Sequence, residues 1–407
     1  VYKRYENAGG VEAAGARSGV GCALVTGNWG ALNTPVTIDQ STDISSVIGA
    51  GSGYDAITAF MAGGMEECVV VRVGTGGTPA TITLKDTTAS TAVDAVVLTA
   101  LYPGNRAFTI TVKTSLDDET AKEATIYEGT KALEKVTFAA GKTEVDGIVA
   151  AFANSKYVKA TKKAPGNGTL ADITQKAFTA GTNPTVNTAA YGEAANASEA
   201  EVRDMIIVDT NDAAVHTLIA THVARVFQEG AYTMATVAEP SSVAIETRMQ
   251  HAAAFNDEKI HYVLNPYIGT DGVEYEGYML AARIGGLICA GAANASLTHT
   301  VISGAAGLKE TLNSGTIKKA LKSGCLVLST SKSKQVWIEK AINTLVTLSK
   351  DQDAGWKKIR RVKERFELMD RVEQTTEVLI GQVDNDPDGR AAVIAAAQRV
   401  VDAMVGE

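Results

Sequence analysis

Residues that carry chemistry are scarce in this sequence. A chain of 407 residues has only 4 cysteines and 5 histidines. The cysteines (Cys22, Cys68, Cys289, Cys325) are too few and too scattered for a disulfide framework. None forms a C-x-x-C pair, which removes support for zinc ribbons and thioredoxin-type exchange, so they read as buried reduced thiols. His216 and His222 are six apart on a predicted helix and point to different faces, while His251, His261 and His299 lie in separate elements. No H-E-x-x-H and no G-x-S-x-G is present, so neither a zinc protease nor a hydrolase elbow is signalled. A long apolar run is also missing. The best membrane-span candidate, Met279 to Thr298, is interrupted by Arg283 and Asn294 and is rich in Ala and Gly. The N-terminus has no basic-then-apolar signal peptide and no initiator Met, so residues before Val1 are expected to be removed or absent. Nor is there an excess of positive charge. Lys and Arg number 38 against 46 Asp and Glu, a net charge of -8, which disfavours whole-chain attraction to nucleic acid or anionic membrane.

What is present is globular. Apolar residues make up 45% and charged residues 21%, and the length corresponds to two to three domains of roughly 150 residues. Residues 1–74 alternate apolar runs with Gly-rich turns and read as part of an α/β core. Strands are predicted at Val20 to Thr26 and Cys68 to Val73, with a helix from Ser52 to Met65 between them. Residues 75–190 change character, being dominated by Thr, Val and Ala. Strand-like pieces (Thr81 to Leu84, Ala92 to Thr99, Phe108 to Lys113, Lys135 to Phe138, Tyr157 to Thr161) and one helix (Glu144 to Ala153) predict a β-rich, sandwich-like insertion.

Residues 191–299 alternate strand and helix three times, which predicts a mostly parallel α/β layer. Its strands are Met205 to Val208, Tyr232 to Val237 and Ile260 to Leu264. Its helices are Asp212 to Gln228, Ser241 to Ala254 (with Ser241 as N-cap) and Tyr275 to Ala293. Residues 300–407 read as an α+β domain: a short helix (Thr316 to Lys322), two strands (Cys325 to Ser329, Val336 to Lys340) and two long helices, Trp356 to Ile380 and Asp388 to Ala403.

Several half-motifs fail for stated reasons. Gly74-Thr75-Gly76-Gly77 follows a strand, but Pro79 stands where a third Gly is needed and no helix follows to receive a phosphate. Gly141-Lys142-Thr143 lacks the first Gly of a P-loop, since Val136 stands there. Asp384, Asp386, Asp388 and Gly389 match the front of a calcium loop, but Ala395 replaces its bidentate Glu, so a turn capped by Asp reads better. No metal site and no cofactor is expected.

One local charge feature stands out. Between Lys357 and Arg365, six of nine residues are basic: Lys357, Lys358, Arg360, Arg361, Lys363 and Arg365. On a helix, Ile359, Val362, Phe366 and Met369 form one apolar stripe, Lys357, Arg360 and Arg361 lie opposite, and Lys358, Lys363 and Arg365 flank the stripe. A solvated face, contact with nucleic acid and docking on an acidic protein all fit this pattern. No aromatic residues interleave with the charges, which counts against nucleic acid.

Several stretches together resemble the sheath proteins of contractile phage tails and related phage-tail-like particles. The strongest is C-terminal: Ile342-Asn343-Thr344-Leu345 read as a strand end, the basic helix Lys358 to Met369-Asp370, then Ile380-Gly381 and Asn385. Ala281 to Thr298, with Gly285-Gly286-Leu287, Gly291 and Asn294 to Thr298, is a second. Leu101 to Asn105 with Ile110 to Lys113, Val145 to Tyr157, and Phe178 to Asn183 follow the family order as well. The resemblance implies a subtilisin-like α/β domain without proteolytic function, a β-sandwich insertion and a C-terminal domain facing the tail tube. It implies a non-enzymatic sheath subunit that polymerises around a tube and contracts to drive it through a cell envelope. Its partners would be other sheath subunits, the tube, the baseplate and a tail terminator, with neither nucleic acid nor membrane insertion. Its place would be a virion tail or phage-tail-like particle assembled in the bacterial cytoplasm, and the basic residues 357–365 would grip an acidic tube. Family members usually carry further residues before the segment like Val1-Tyr2 and beyond the last helix. The rival readings are a hydrolase on the α/β domain and a nucleic-acid-binding protein using the basic helix.

Overall fold

The computed structural model describes residues 19–163 and 167–406; the opening segment with Val1-Tyr2 lies outside them. The chain divides into two compact units, one of residues Val1–Ala23, Thr58–Val69 and Glu201–Glu407, the other of Leu24–Ile57 and Val70–Ala200.

The first unit is built on a parallel sheet. Met205–Val208, Met234–Ala238, Ile260–Val263 and Cys325–Leu326 lie side by side in sequence order and run parallel, with Met205 opposite Met234, Ala235 opposite Ile260 and Tyr262 opposite Cys325. Every residue of these four strands is buried. That explains their continuous apolar runs, since a sheet covered on both faces has no polar face to alternate with. Helices Ala213–Gln228 and Ile245–Phe255 connect the first three strands. Asp212 caps the first by accepting from the Ala214 N–H at 2.8 Å. Ser241 is not the cap of the second: that helix starts at Ile245, and the Ser241 hydroxyl donates instead to Glu276 at 2.6 Å.

Helix Tyr278–Ala290 packs closely against this layer. A Cβ at Gly285 would sit 3.1 Å from Ile207 Cγ2 and 3.2 Å from Thr236 Cβ; one at Gly286 would sit 2.0 Å from the Phe60 carbonyl oxygen. The Gly-Gly pair in the middle of an apolar helix is therefore a packing requirement, which outweighs the helix propensity it forfeits. Beyond the layer, Tyr267–Gly269 pairs antiparallel with Glu274–Tyr275 and Ala305–Leu308, and Leu328–Thr330 with Val336–Ile338. Two long helices, Ile359–Glu377 and Pro387–Gly406, end the described chain. Asp386 caps the second, accepting from the Gly389 N–H at 2.7 Å.

The second unit holds a β-sandwich. One antiparallel sheet has the order Ile173–Ala177, Phe108–Thr114, Ala121–Glu128, Lys131–Ala139; the other has Thr81–Asp86, Val93–Ala100, Val158–Lys162. Ile82, Leu98, Ile110 and Ile126 meet in its core with Val145 and Ile148 of helix Glu144–Ala151. Entry and exit run side by side, Thr75 bridging Thr185 and Thr78 bridging Thr182, which ties down the Gly74–Gly77 turn. The half P-loop is spent locally: the Gly141 N–H donates to Glu144 Oε1 at 2.8 Å.

Candidate functional site

The basic segment is held in place by an unusual length of buried polar chain. Residues Ile342 to Leu345 are not a strand end; among the described residues, only an isolated bridge from Ile342 to Lys358 is present there. Asn343 and Thr344, both fully buried, replace ladder bonds with side-chain bonds. Asn343 Nδ2 donates to the Trp356 carbonyl at 2.8 Å, and its own N–H donates to the Lys357 carbonyl at 3.2 Å. The Thr344 hydroxyl donates to the Asp257 carbonyl at 2.8 Å, and its N–H donates to the Ile260 carbonyl at 2.9 Å. One side of this segment therefore fixes the parallel sheet and the other fixes the start of the basic segment.

That start is not α-helical. Ala354–Lys357 is a 3₁₀ turn capped by Asp353, Lys358 is extended at φ -100° and ψ 126°, and the α-helix begins at Ile359. The wheel at 100° per residue consequently does not apply to Lys357 and Lys358. Within the helix, Ile359, Val362 and Phe366 are buried as the spacing requires, but Met369 is exposed, so the stripe ends a turn early.

The six basic side chains divide into three pairs. Arg360 and Arg361 are exposed. Arg360 makes an i,i+4 pair with Glu364 at 3.5 Å, the kind of contact that contributes only tenths of a kcal/mol, about 0.3–0.5. Lys357 is half-buried and donates to the Val346 carbonyl at 2.6 Å. Lys358 is half-buried too; burial first, then the neighbouring Lys340, lower its pKa. The other two are turned inward. Lys363 donates to the carbonyl of Ile288 at 2.5 Å and to that of Gly291, closing the C-terminal end of helix Tyr278–Ala290, and burial lowers its pKa. Arg365 lies 3.9 Å from the Trp356 ring centroid, its Nη2 3.3 Å from Glu258 Oε1.

Elsewhere the stretches that carried the resemblance also prove to be structural joints. Asn183 Oδ1 accepts from the Asn105 N–H at 2.9 Å, joining two of them. Ser155 Oγ accepts from the N–H groups of Tyr157 and Val158 at 3.1 and 3.0 Å. Asn385 Oδ1 accepts from Arg390 Nε at 2.9 Å across the final turn. Among the described residues no cluster of His, Cys, Asp or Glu is arranged to hold a metal ion, and no helix is long and apolar enough to cross a membrane.

Comparison with known proteins accounts for this pattern of joints. The family model of the phage tail sheath protein β-sandwich domain matches residues 75–183, and that of the phage tail sheath protein central domain matches residues 184–344. The two matches abut and together span most of the chain. The chain belongs to the phage tail sheath protein family. Its function is that of a structural subunit of a contractile tail sheath. No curated protein matches it by sequence. Among solved structures, it is similar to a sheath tail protein from Desulfitobacterium hafniense, with a TM-score of 0.75 and 18% identity over 97% of this chain and 86% of that one. It is also similar to a sheath tail protein from Listeria innocua, with a TM-score of 0.74 and 21% identity over 96% and 85%. The contracted sheath of an extracellular contractile injection system matches with a TM-score of 0.55 and 10% identity over 100% and 81%. At these identities the likeness is one of fold.

Proposed function

We propose that many copies of this sheath protein wrap a rigid tail tube as stacked rings or a helix, a heterologous assembly that can extend without closing. On a trigger from the baseplate, subunits rotate and repack as nearly rigid bodies, and the shortened sheath drives the tube through a cell envelope. New contacts between subunits supply the energy. A tail terminator ends the polymer, and assembly takes place in the bacterial cytoplasm. The parallel layer is subtilisin-like without proteolytic function, a reading supported by its strand–helix–strand steps.

The residues 357–365 face an acidic tube, with Lys357, Lys358, Arg360 and Arg361 meeting it and Lys363 and Arg365 keeping the helix in place. The observation that carries this is the exposure of Arg360 and Arg361 on a helix rigidly tied to the sheet. Pairs between exposed charges are weak and screened by salt, which suits a contact released on contraction. Reversing Arg360 and Arg361 to Glu is expected to abolish co-sedimentation with preformed tube while circular dichroism stays unchanged. Tube-bound sheath at wild-type yield overturns the assignment.

A further inference from the structure

The turn between the last two helices leaves an apolar notch open to solvent. It is lined by Leu379, Ile380, Val383, Val393 and Ile394 and has a volume of about 560 Å³. Ile380 is 79% exposed and Ile394 68%. Large apolar side chains this open, and this close together, mark an interaction surface more often than a free one. Two charged residues line the notch, Asp384 and Arg390, and the Arg390 Nε is taken up by Asn385 Oδ1 at 2.9 Å. Glu377, Asp386 and Asp388 are exposed in the adjoining turns, so four carboxylates face one guanidinium, and none of the four has an ion-pair partner among the described residues. The sequence leading into the notch is mostly acidic. From Glu367 to Asp388 every charged residue but Arg371 is acidic.

The opposite sign lies elsewhere in the same unit. From Ser314 to Lys350 every charged residue but Glu339 is a lysine. Three of these, Lys318, Lys319 and Lys322, are exposed on helix Ser314–Lys322 within about 100° of arc, with the buried Ala320 turned to the other side. None has an anionic partner among the described residues. A lysine carries an apolar stem and a charged tip, so it suits a notch whose floor is apolar and whose rim is acidic: methylenes cover Ile380 and Ile394 while ammonium groups meet the carboxylates.

We infer that the lysine face of one copy of this chain docks on the acid-rimmed apolar notch of the next copy. The two surfaces are different, so the contact is head-to-tail and can propagate, as an open assembly requires. The inference rests on the sheath reading in one respect, that many copies meet. The charge complement is carried on this one chain, and that selects a second copy over the tube as the occupant.

Charge exchange in the full chain tests it. One variant carries Lys318→Glu, Lys319→Glu and Lys322→Glu. The other carries Glu377→Lys, Asp384→Lys and Asp388→Lys, and keeps the capping Asp386. Assembly is followed by sedimentation velocity and negative-stain microscopy at about 0.15 M salt, with circular dichroism as the check on folding. Each variant alone is expected to need at least about tenfold more protein to polymerise than wild type. An equimolar mixture is expected to recover, because each altered surface then faces its complement. Variants that assemble like wild type overturn the inference and leave the sheath reading standing. So does a mixture that fails to recover, or a lysine variant that polymerises normally and loses only the tube. Wild-type protein that forms no polymer at any concentration overturns both.

Discussion

The ammonium of Lys363 donates to the carbonyl oxygen of Ile288 at 2.5 Å, so a side chain from the basic helix closes the open end of a helix in the α/β layer. The last carbonyls of a helix have no partner within it and carry partial negative charge, and a cation there satisfies both needs. The cost is that Lys363 is desolvated, which is why its pKa is lowered. Replacing it by Met keeps the stem and removes the donors. Lys363→Met is expected to destabilise the protein by about 2 kcal/mol, the range for charge-assisted hydrogen bonds, and to leave tube affinity per folded molecule unchanged. Unfolding in urea and co-sedimentation separate the two effects; a loss of tube binding with no loss of stability reverses the assignment.

Much of this arrangement is legible in the sequence, and the illegible part has a physical cause. Met205–Val208 is bounded by the apolar run as read, because a doubly covered parallel strand leaves a short, unbroken signal. The strand Ala121–Glu128 is silent because its buried Lys122 and Glu123 look like surface residues, their burial being made tolerable by partners distant in sequence. Ile173–Ala177 is silent because it is an exposed edge with little apolar content. The inward turn of Lys363 has no local signature either, since its acceptors lie more than 70 residues away; Arg365 reaches Glu258, equally distant, as well as the nearby Trp356 ring. Lys318, Lys319 and Lys322, by contrast, could have been found, since lysines at i, i+1 and i+4 fall within about 100° of a helix's circumference.

His261, on the strand Ile260–Val263, feels the charge of Lys363. It is fully buried, its Nδ1 3.3 Å from Thr236 Oγ1 and its Nε2 without a partner among the described residues. Burial, and secondarily the Lys363 charge, push its pKa from 6.5 down to about 3. A base whose pKa falls on folding is neutral in both states above pH 6.5, so it costs nothing there. Between 6.5 and about 3 the unfolded chain gains a proton that the folded chain does not, and stability falls by about 1.4 kcal/mol per pH unit. Burial lowers the pKa of His216 as well, in the same direction. The imidazole resonances of His261 are expected to stay fixed from pH 8 to 5, and the urea midpoint of His261→Leu is expected to fall less steeply than wild type over that interval. A His261 resonance titrating near its ordinary value sinks the account.

Arg365 offers a test of how the basic segment is anchored. Its guanidinium lies 3.9 Å from the centroid of Trp356 and 5.3 Å from that of Phe366. A partly desolvated cation–π contact contributes about 1–2 kcal/mol, whereas lysine, a more strongly hydrated point charge, recovers less of it. Arg365→Lys is therefore expected to lower stability by about 1 kcal/mol, and Trp356→Leu by more. Because the two act on one contact, the double variant should cost less than the sum of the singles. Strict additivity in a double-mutant cycle by urea unfolding means the stacking carries no energy.

In the sandwich, Lys122 and Glu144 make the ion pair most sensitive to removal of one member. Lys122 Nζ lies 3.1 Å from Glu144 Oε2 and 2.8 Å from Asp172 Oδ1, and it donates to the Leu170 carbonyl at 2.6 Å. Glu144 also accepts from the N–H groups of Gly141 and Leu170 at 2.8 and 2.7 Å, and these two bonds pin loops to the first turn of helix Glu144–Ala151. Lys122→Met would leave a carboxylate that is 1% exposed without its cation, a situation that typically costs about 3–5 kcal/mol. Glu144→Gln would keep one acceptor oxygen and so lose one of the two backbone bonds, which reach different carboxylate oxygens, while the ammonium keeps Asp172 and the Leu170 carbonyl as partners, so a smaller loss is expected. Lys122→Met combined with Glu144→Gln should recover part of the single-variant loss, because no unpaired charge remains buried. Hydrogen exchange at the Gly141 and Leu170 amides reads the effect locally. Protection that survives Lys122→Met would show that the carboxylate is held by the backbone donors alone.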